Sequence, residues 1–145
     1  MTKISVKVKL LHPDAKMPEY KTPGAAGFDL CACEQVVIHP GRYNHVRLGI
    51  AFEIPKGFEI QIRPRSGLSF KTGLMAKNTI GTIDSDYRGE VGYCLFNTDD
   101  SPIEIELGDR VCQGVLQRVP QAQFMLVDEL SETDRGAGGF GSTGI

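Results

Sequence analysis

Residues 46–62 read Val-Arg-Leu-Gly-Ile-Ala-Phe-Glu-Ile-Pro-Lys-Gly-Phe-Glu-Ile-Gln-Ile, and this stretch decides the fold class. Apolar side chains occupy every second position over residues 46–54. The same period resumes over residues 58–62, after a Pro-Lys-Gly turn. An apolar–polar period of two is typical of half-buried β-strands. The stretch therefore predicts two strands that are separated by a turn.

The same period of two recurs elsewhere in the chain. Apolar side chains alternate with polar ones over residues 4–10, over 103–107, and again from Val111 onward after a Gly-Asp turn. Only residues 66–76 have a helical pattern, with Ser66 as the expected N-cap. Short strands between frequent turns predict an all-β jelly-roll-like barrel or sandwich with one short helix. The sequence has neither a βαβ rhythm nor a GxxxxGK[ST] loop, which excludes Rossmann and P-loop folds.

Length and charge narrow the classes of function. The 145 residues suit one domain, and 16 Lys+Arg against 18 Asp+Glu give a net charge of −2. This balance predicts neither a nucleic-acid partner nor a membrane partner. No run approaches the ~18 apolar residues that cross a bilayer, and the first residues lack a signal-peptide pattern. A cytoplasmic protein is expected.

Cysteine and histidine usage gives no sign of a metal cage. The four cysteines form no CxxC pair, and HExxH is absent. Cys31 and Cys33 share one face of a predicted strand, where a disulfide between them is disfavoured. The three histidines are scattered. We therefore expect reduced thiols, and a reaction that proceeds without a histidine base.

Two motifs in the first half of the chain combine turns with polar side chains. Residues 25–30 place Asp29 between a Pro-Gly turn and a strand, where it either caps backbone amides or serves a site. Residues 63–68 bring Arg65, Ser66 and Gly67 to the start of the predicted helix. This second motif is either an anion site or an ordinary capped helix with solvated arginines.

The densest motif spans residues 78–90, and we expect it to form a tight hairpin loop. Acidic residues are common in such loops simply because their side chains stabilise turns by hydrogen bonding to the backbone. Asn78 nevertheless offers an amide with both donor and acceptor atoms, Asp84 offers a base, and Tyr87 offers an aromatic face. These three side chains suit a nucleobase pocket beside a hydrolytic centre.

Two further motifs lie near the end of the chain. In residues 108–113, Gln113 has the parity of Val111 and Val115 and is expected to face inward or toward a site, bound to backbone or to a ligand. Residues 135–144 include five glycines, which cannot build a core of their own. We expect a single domain over 1–145, with a β core over 1–134 and a glycine-rich arm over 135–145.

In order along the chain, five of these stretches resemble the motifs of the trimeric deoxyuridine triphosphatase (dUTPase) family. They read AGFDL at 26–30, PRSGL at 64–68, GTIDSDYRG at 81–89, GDRVCQ at 108–113 and RGAGGFGSTG at 135–144. Departures from the family pattern are mild, at Ser69 and at Val111-Cys112, and remove no functional group. The resemblance implies a jelly-roll homotrimer with three interface sites. It also implies Mg²⁺-assisted hydrolysis of dUTP to dUMP and diphosphate, which removes dUTP and supplies dUMP for dTMP synthesis.

The resemblance also implies a role for each matching residue. Asp84 activates the water that attacks the α-phosphorus, Tyr87 stacks under the deoxyribose and excludes a 2′-hydroxyl, and Asp29 reaches Mg²⁺ through water. The remaining substrate-binding residues that it implies are Arg65, Ser66, Gly67 and Gln113 for the phosphates; Asn78, Thr82, Ile83 and Gly92 for uracil; and Arg135, Phe140, Gly141, Ser142 and Thr143 of the arm.

Three alternatives remain open. The related deoxycytidine triphosphate deaminases generally lack both the tyrosine-containing third motif and the C-terminal arm. A non-catalytic nucleotide-binding trimer on the same scaffold is disfavoured by the intact Asp84 and arm, although a second regulatory role stays open. The third alternative is an unrelated small β-sandwich, for which the five motifs would have to occur in this order by chance.

Overall fold

The computed structural model describes residues 3–142 and 144. It contains one helix, α1 (Ser66–Lys71), among ten strands. The strands in chain order are β1 (Lys7–Leu10), β2 (Phe28–Cys31), β3 (Val36–Ile38), β4 (Tyr43–Glu53), β5 (Phe58–Arg63), β6 (Leu74–Ala76), β7 (Gly81–Ile83), β8 (Val91–Asn97), β9 (Ile103–Ile105) and β10 (Arg110–Arg118).

The strands form two four-stranded antiparallel sheets and a small two-stranded sheet. One large sheet has the order β1-β4-β8-β6, the other has the order β2-β10-β5-β7, and β3 pairs with β9. Buried aliphatic side chains from both large sheets form a single core, including Val46, Leu48, Ile60, Ile62 and Val111. The all-β jelly-roll-like sandwich with one short helix, predicted from the alternating pattern, is confirmed.

A β-bulge interrupts the strand that decided the fold. The pairing of β4 with β8 shifts register between Arg47 and Ile50, and Gly49 has a φ of +65°. A side chain at Gly49 would meet the Cβ of His12 at 2.8 Å and the Sγ of Cys33 at 3.0 Å. Glycine is therefore required here both by the backbone conformation and by the lack of space.

The predicted helix over residues 66–76 is wrong in length. The helix ends at Lys71, and residues 74–76 form β6 instead, paired with β8. The N-cap is Arg65 rather than Ser66, with no side-chain cap hydrogen bond. Thr72 is the C-cap. The next residue is Gly73, whose N–H donates to Asp99 Oδ2 at 3.0 Å and whose carbonyl accepts from the Thr98 N–H at 2.9 Å. These tertiary contacts override the local helical pattern.

Beyond β10, residues 119–142 contain no helix or strand. Several large apolar side chains in this segment are exposed in the single chain: Phe124, Met125, Leu126, Val127, Leu130 and Phe140. The predicted division into a core to residue 134 and an arm from residue 135 stays a prediction. Across the described chain, no helix has the length and apolar character that crossing a membrane requires.

Candidate functional site

A small basic cavity brings together the first, second and fourth motifs. It has a volume of about 220 Å³ and is lined by Lys21, Ala25, Gly27, Asp29, Arg65, Ser66, Gly67, Arg110 and Gln113. Three of these side chains are cations and one is an anion. The cavity therefore carries an excess of positive charge and suits an anionic ligand with several oxygens.

Asp29 holds two of the cations in place. Its Oδ1 accepts from Arg65 Nε at 2.9 Å and its Oδ2 lies 3.1 Å from Arg110 Nη1, and only 13% of the side chain is exposed. Arg65 Nη1 also donates to the Arg110 carbonyl at 3.1 Å. Because charge-assisted hydrogen bonds are directional, this carboxylate fixes both guanidinium groups at the cavity wall.

The start of α1 forms another part of the wall. The first intrahelical hydrogen bonds run from the N–H groups of Leu68 and Ser69 to the Arg65 carbonyl. The N–H groups of Ser66 and Gly67 precede these bonds and belong to the unpaired donors of a helix N-terminus. They supplement the two arginines as donors to an anion.

Gln113 lies on the cavity side of β10. Its backbone pairs with Asp29 and Arg63, and its Nε2 donates to the Pro64 carbonyl at 2.9 Å. Gln113 was expected to face the same way as Val111, two residues earlier. A register shift between Arg110 and Cys112 interrupts this alternation, and Val111 and Cys112 are both buried in the core. Gln113 thus faces the site, as expected, and its amide has a backbone partner.

Asp84 lies in a separate cavity. The side chain is exposed and lines a space of about 760 Å³ together with Lys56, Phe58, Glu59 and Arg88, among others. Neither Arg65 nor Gln113 lines this space. The predicted base and the predicted phosphate-binding residues are therefore not brought into one cavity by the described residues of a single chain.

Tyr87 is folded back over the loop that carries Asp84. Its N–H donates to the Asp84 carbonyl at 3.1 Å, and its hydroxyl donates to the Glu90 carbonyl at 3.0 Å. A side chain at Gly89 would meet the Tyr87 hydroxyl oxygen at 2.4 Å. Gly89 therefore leaves room for the ring, which is 44% exposed and presents a face to solvent.

The tight hairpin expected over residues 78–90 is not formed, because the strands on either side of Asp84 do not pair with each other. β7 pairs with β5 in one sheet, whereas β8 pairs with β4 and β6 in the other. Among the described residues, no ladder joins β7 to β8. The two strands on either side of Asp84 separate because each belongs to a different layer of the sandwich. Thr82 and Ile83 lie on β7, which is an edge strand.

Gly92 offers backbone groups that β6 does not reach. The Lys77 N–H donates to the Cys94 carbonyl at 2.9 Å, on the β6 side of β8. Alternate residues of a strand direct their backbone N–H and C=O groups to the same side. The backbone groups of Gly92, two residues before Cys94, therefore also face the β6 side of β8. β6 ends at Ala76, opposite Leu95, and so stops short of Gly92. Asn78 follows Lys77 directly, so its position in the chain is next to this free edge.

The described part of the arm lines neither of these two cavities. Arg135 Nε donates to the Gly138 carbonyl at 2.8 Å, and Phe140 is fully exposed. Gly141 and Ser142 lie in a turn. Thr143 lies outside the described residues.

Lys21 and Arg110 are cavity residues that the sequence analysis did not single out. Arg110 lies within the fourth motif, three residues before Gln113. A positive charge at that place could have indicated a phosphate-binding residue. Lys21 lies outside every motif, and only its position in the folded chain places it at the cavity. Its Nζ also donates to Glu19 Oε2 at 2.5 Å.

The described side chains suit a magnesium ion that is bound mainly by ligand phosphates. In residues 3–142, no group of three or more His, Cys, Asp or Glu side chains is arranged to hold a metal. Both carboxylate oxygens of Asp29 already accept from arginines. This arrangement suits an ion that is held by ligand phosphates and keeps its waters, not an ion in a protein cage.

The thiols near this cavity are not activated. Burial raises the pKa of Cys31 and of Cys112 above the ordinary value for a thiol. Both therefore stay protonated at neutral pH and are poor nucleophiles.

Comparisons with known proteins show the family to which the chain is similar. A family model described as dUTPase matches residues 13–144. Deoxyuridine 5′-triphosphate nucleotidohydrolases of Nautilia profundicola and Helicobacter pylori are 52% and 45% identical to the chain, over 97% and 98% of its length and 99% and 98% of theirs.

Two solved structures show the same similarity in three dimensions. The Staphylococcus bacteriophage 80alpha dUTPase with dUpNHpp matches with a TM-score of 0.92 and 29% identity, over 99% of this chain and 100% of that one. A mutant dUTPase of Staphylococcus aureus phage phi11, which shows the coordination of a structural Mg(II) ion, matches with a TM-score of 0.81 and 26% identity, over 87% of this chain and 98% of that one. Motifs, fold, cavity and relatives lead to one conclusion: the chain belongs to the dUTPase family.

Proposed function

We propose that the chain hydrolyses dUTP to dUMP and diphosphate, and so removes dUTP and supplies dUMP for dTMP synthesis. The observation that carries this proposal is the basic cavity, where Asp29 orients Arg65 and Arg110 beside Gln113 in a chain of the dUTPase family. A triphosphate supplies the several negative oxygens that such a cavity suits.

The phosphate-binding groups proposed are Arg65, Gln113, and the backbone and hydroxyl of Ser66 with the backbone of Gly67. Arg65 is held within reach by Asp29. Gln113 Nε2 donates one of its two hydrogens to the Pro64 carbonyl, and the second can be donated to a phosphate oxygen. Together these groups offer both charge and directed donors to the phosphate chain.

For the base, we propose that uracil binds between the separated strands β7 and β8. The support is the edge position of β7, which carries Thr82 and Ile83, and the position of Gly92 on β8 beyond the last β6 residue, Ala76. A backbone edge can bind the edge of a base much as it binds another strand. The Asn78 amide lies beside this edge in sequence, and Tyr87 would stack under the deoxyribose and exclude a 2′-hydroxyl.

The proposed chemical step uses Asp84 as the general base. Its carboxylate takes a proton from a water, the water oxygen attacks the α-phosphorus, and diphosphate leaves. The exposed position of Asp84 leaves the carboxylate open to such a water. When Mg²⁺ is bound to the substrate phosphates, it offsets their negative charge, and Asp29 is the proposed outer-shell contact through water.

We further propose that the protein is a homotrimer with its sites at subunit interfaces. Asp84 and the basic cavity are separate in one chain, so a complete site needs a second copy. The uncovered apolar side chains at residues 124–130 also need a partner surface. From a third copy, Arg135, Phe140, Gly141, Ser142 and Thr143 would close over the γ-phosphate and the base.

The place of action is proposed to be the cytoplasm. All four cysteines are free thiols, which suits a reducing compartment.

The test is diphosphate release from dUTP with Mg²⁺, run in parallel with dTTP, dCTP and UTP. We expect turnover of dUTP alone, because Tyr87 is proposed to exclude the 2′-hydroxyl of UTP, and the space between β7 and β8 is proposed to accept uracil but neither thymine nor cytosine. Ammonia release from dCTP would identify a deaminase instead. Tight binding of dUTP without turnover would indicate a regulatory nucleotide-binding protein.

A further inference from the structure

Loop 84–90, which carries Asp84 and Tyr87, lacks the support that most hairpin loops have. In a hairpin, the ladder between the two strands fixes the loop. Here β7 is held by β5, with Gln61 opposite Thr82, and β8 is held by β4. Each end of the loop therefore needs an anchor of its own.

At the C-terminal end of the loop, that anchor is the Glu90 carboxylate. Arg47 Nε donates to Glu90 Oε1 at 3.1 Å, and Arg47 Nη2 donates to Oε2 at 3.1 Å. The Gly49 N–H also donates to Oε1 at 3.1 Å. Glu90 thus binds both a guanidinium fork and the backbone of the β4 bulge, with only 28% of its side chain exposed.

The bulge is a firm point of attachment. Gly49 is packed against His12, Ala15 and Cys33 so closely that no side chain fits there. The Arg47 carbonyl accepts from the Cys33 N–H at 3.0 Å. Arg47 Nη1 also lies 3.7 Å from Glu34 Oε2, which adds a second carboxylate to the cluster.

Arg47 and Glu90 also contact or stand opposite residues that are proposed to bind the nucleotide. The Glu90 carbonyl accepts the hydroxyl of Tyr87, and Arg47 stands opposite Gly92 in the β4–β8 register. A shift of Glu90 would therefore move the Tyr87 ring, and through the loop it would move Asp84.

We propose that Arg47 and Glu90 are positioning residues for the nucleotide site. Their ion pair fixes loop 84–90 to the β4 bulge and so sets where Asp84 and Tyr87 stand relative to the substrate. This role rests on the proposed hydrolysis of dUTP. The pair contributes to the geometry of the site more than to overall stability, since partly exposed ion pairs add little to folding.

The first experiment compares Glu90→Gln with Glu53→Gln. Glu90→Gln keeps an oxygen for the Gly49 N–H but loses the ionic fork. Glu53→Gln removes a carboxylate from the same strand system, where Glu53 pairs with Lys7 on the surface. We expect kcat/KM for dUTP to fall about 10- to 100-fold in Glu90→Gln, as for a small misplacement of reacting groups, and to stay near wild type in Glu53→Gln.

Two further readouts separate positioning from general damage. The turnover of UTP relative to dUTP should rise in Glu90→Gln, because a displaced Tyr87 excludes the 2′-hydroxyl less well. Arg47→Met should have the same effect, and the double variant should be no worse than either single one, since both remove one interaction. Additive losses, or an unchanged nucleotide preference, would overturn the proposal.

Hydrogen exchange tests the positioning without any turnover. In Glu90→Gln we expect faster exchange in peptides covering residues 84–92 and unchanged exchange in β5 and β10. Unchanged exchange in the loop, or faster exchange throughout both sheets, would contradict the inference. If the wild-type protein fails to hydrolyse dUTP, the proposed function is lost, and the exchange result still decides whether the pair positions the loop.

Discussion

The side-chain oxygen of Gln113 occupies the space that a side chain at Gly27 would need. A Cβ built at Gly27 would lie 2.3 Å from Gln113 Oε1, 3.2 Å from its Cδ and 3.4 Å from its Cβ. Glycine in the first motif is thus explained by a residue of the fourth. The two motifs are 86 positions apart in the chain and share one cavity wall.

Gly27→Ala should therefore damage the basic cavity. The added methyl group would displace the Gln113 amide, and its hydrogen bond to Pro64 would be strained or lost. We expect kcat/KM for dUTP to fall about 10-fold or more, by misplacement of a binding group. Gly24→Ala is the matched control, because nothing lies within 4 Å of a Cβ there. Equal activity of the two variants would show that Gln113 tolerates the displacement.

Asp29→Asn separates two roles for this carboxylate. Loss of the charge makes the cavity more positive, but it also weakens the bonds that orient Arg65 and Arg110. Charge-assisted bonds are about twice as strong as neutral ones, so we expect disorientation to dominate and kcat/KM to fall about 10-fold. The activity is then measured against Mg²⁺ concentration. Recovery at high Mg²⁺ would point to the outer-shell metal role, and no recovery would point to arginine positioning.

Asp84→Asn should bind nucleotide and fail to hydrolyse it. The amide keeps the size of the side chain but cannot accept a proton from water, and loss of a general base costs about 10²–10⁴-fold in rate. Asp86→Asn in the same loop is the control, since it removes an exposed carboxylate that has no proposed role. Calorimetric titration with dUTP and a turnover assay give the two readouts. Lost binding, or retained turnover, would remove Asp84 as the base.

Truncation before Arg135 should leave the protein folded, in the same proposed trimer, but turning over dUTP orders of magnitude more slowly. The described arm contacts mainly itself, as in the bond from Arg135 to Gly138, so the core does not depend on it. The arm is proposed to exclude water from the bound triphosphate. Sedimentation measures the trimer and diphosphate release measures the rate. Near-normal activity would remove the arm from the mechanism.

Tyr93→Phe should keep or raise the thermal stability. The Tyr93 side chain is buried, its hydroxyl has no hydrogen-bond partner among the described residues, and burial strongly raises its pKa. Removal of an unsatisfied buried polar group relieves a cost of about 1–3 kcal/mol. Asn97→Ala is the contrast, because the Asn97 amide donates to the Ile38 and Ser101 carbonyls at 2.8 Å. Denaturation should show a loss of about 1–3 kcal/mol for Asn97→Ala, and a similar loss for Tyr93→Phe would mean that its hydroxyl is satisfied.

The strands were predictable because alternation is a local property. Residues 46–54 and 58–62 show the period of two, and Val46, Leu48, Ile60 and Ile62 are buried as it requires. The end of the helix was not predictable in this way. The helix ends at Lys71, and Asp99 and Thr98 bind Gly73 just beyond it from 26 and 25 residues away, a contact of which a local pattern contains no sign.

The sequence allowed candidate site residues to be proposed, but it did not show which of them lie close together in the folded chain. Motif resemblance predicts roles for Asp84, Arg65 and Gln113, and strand order decides which of them share a cavity. The pairing of β10 with β2 and β5 brings Gln113 beside Asp29 and Arg63, whereas Asp84, the residue after β7, lines another cavity. Lys21 belongs to no motif, so only the folded chain shows that it lines the basic cavity.

The separation of β7 and β8 into different sheets has a consequence for how the protein tolerates change. The gap between these strands is set by the thickness of the sandwich, and that thickness is set by the side chains of the core. A larger or smaller residue at Ile62, which stands opposite Gly81 of β7, or at Leu95 of β8 would alter the width of this gap. If uracil binds in this gap as proposed, such a substitution would change the discrimination between nucleobases before the fold itself is lost.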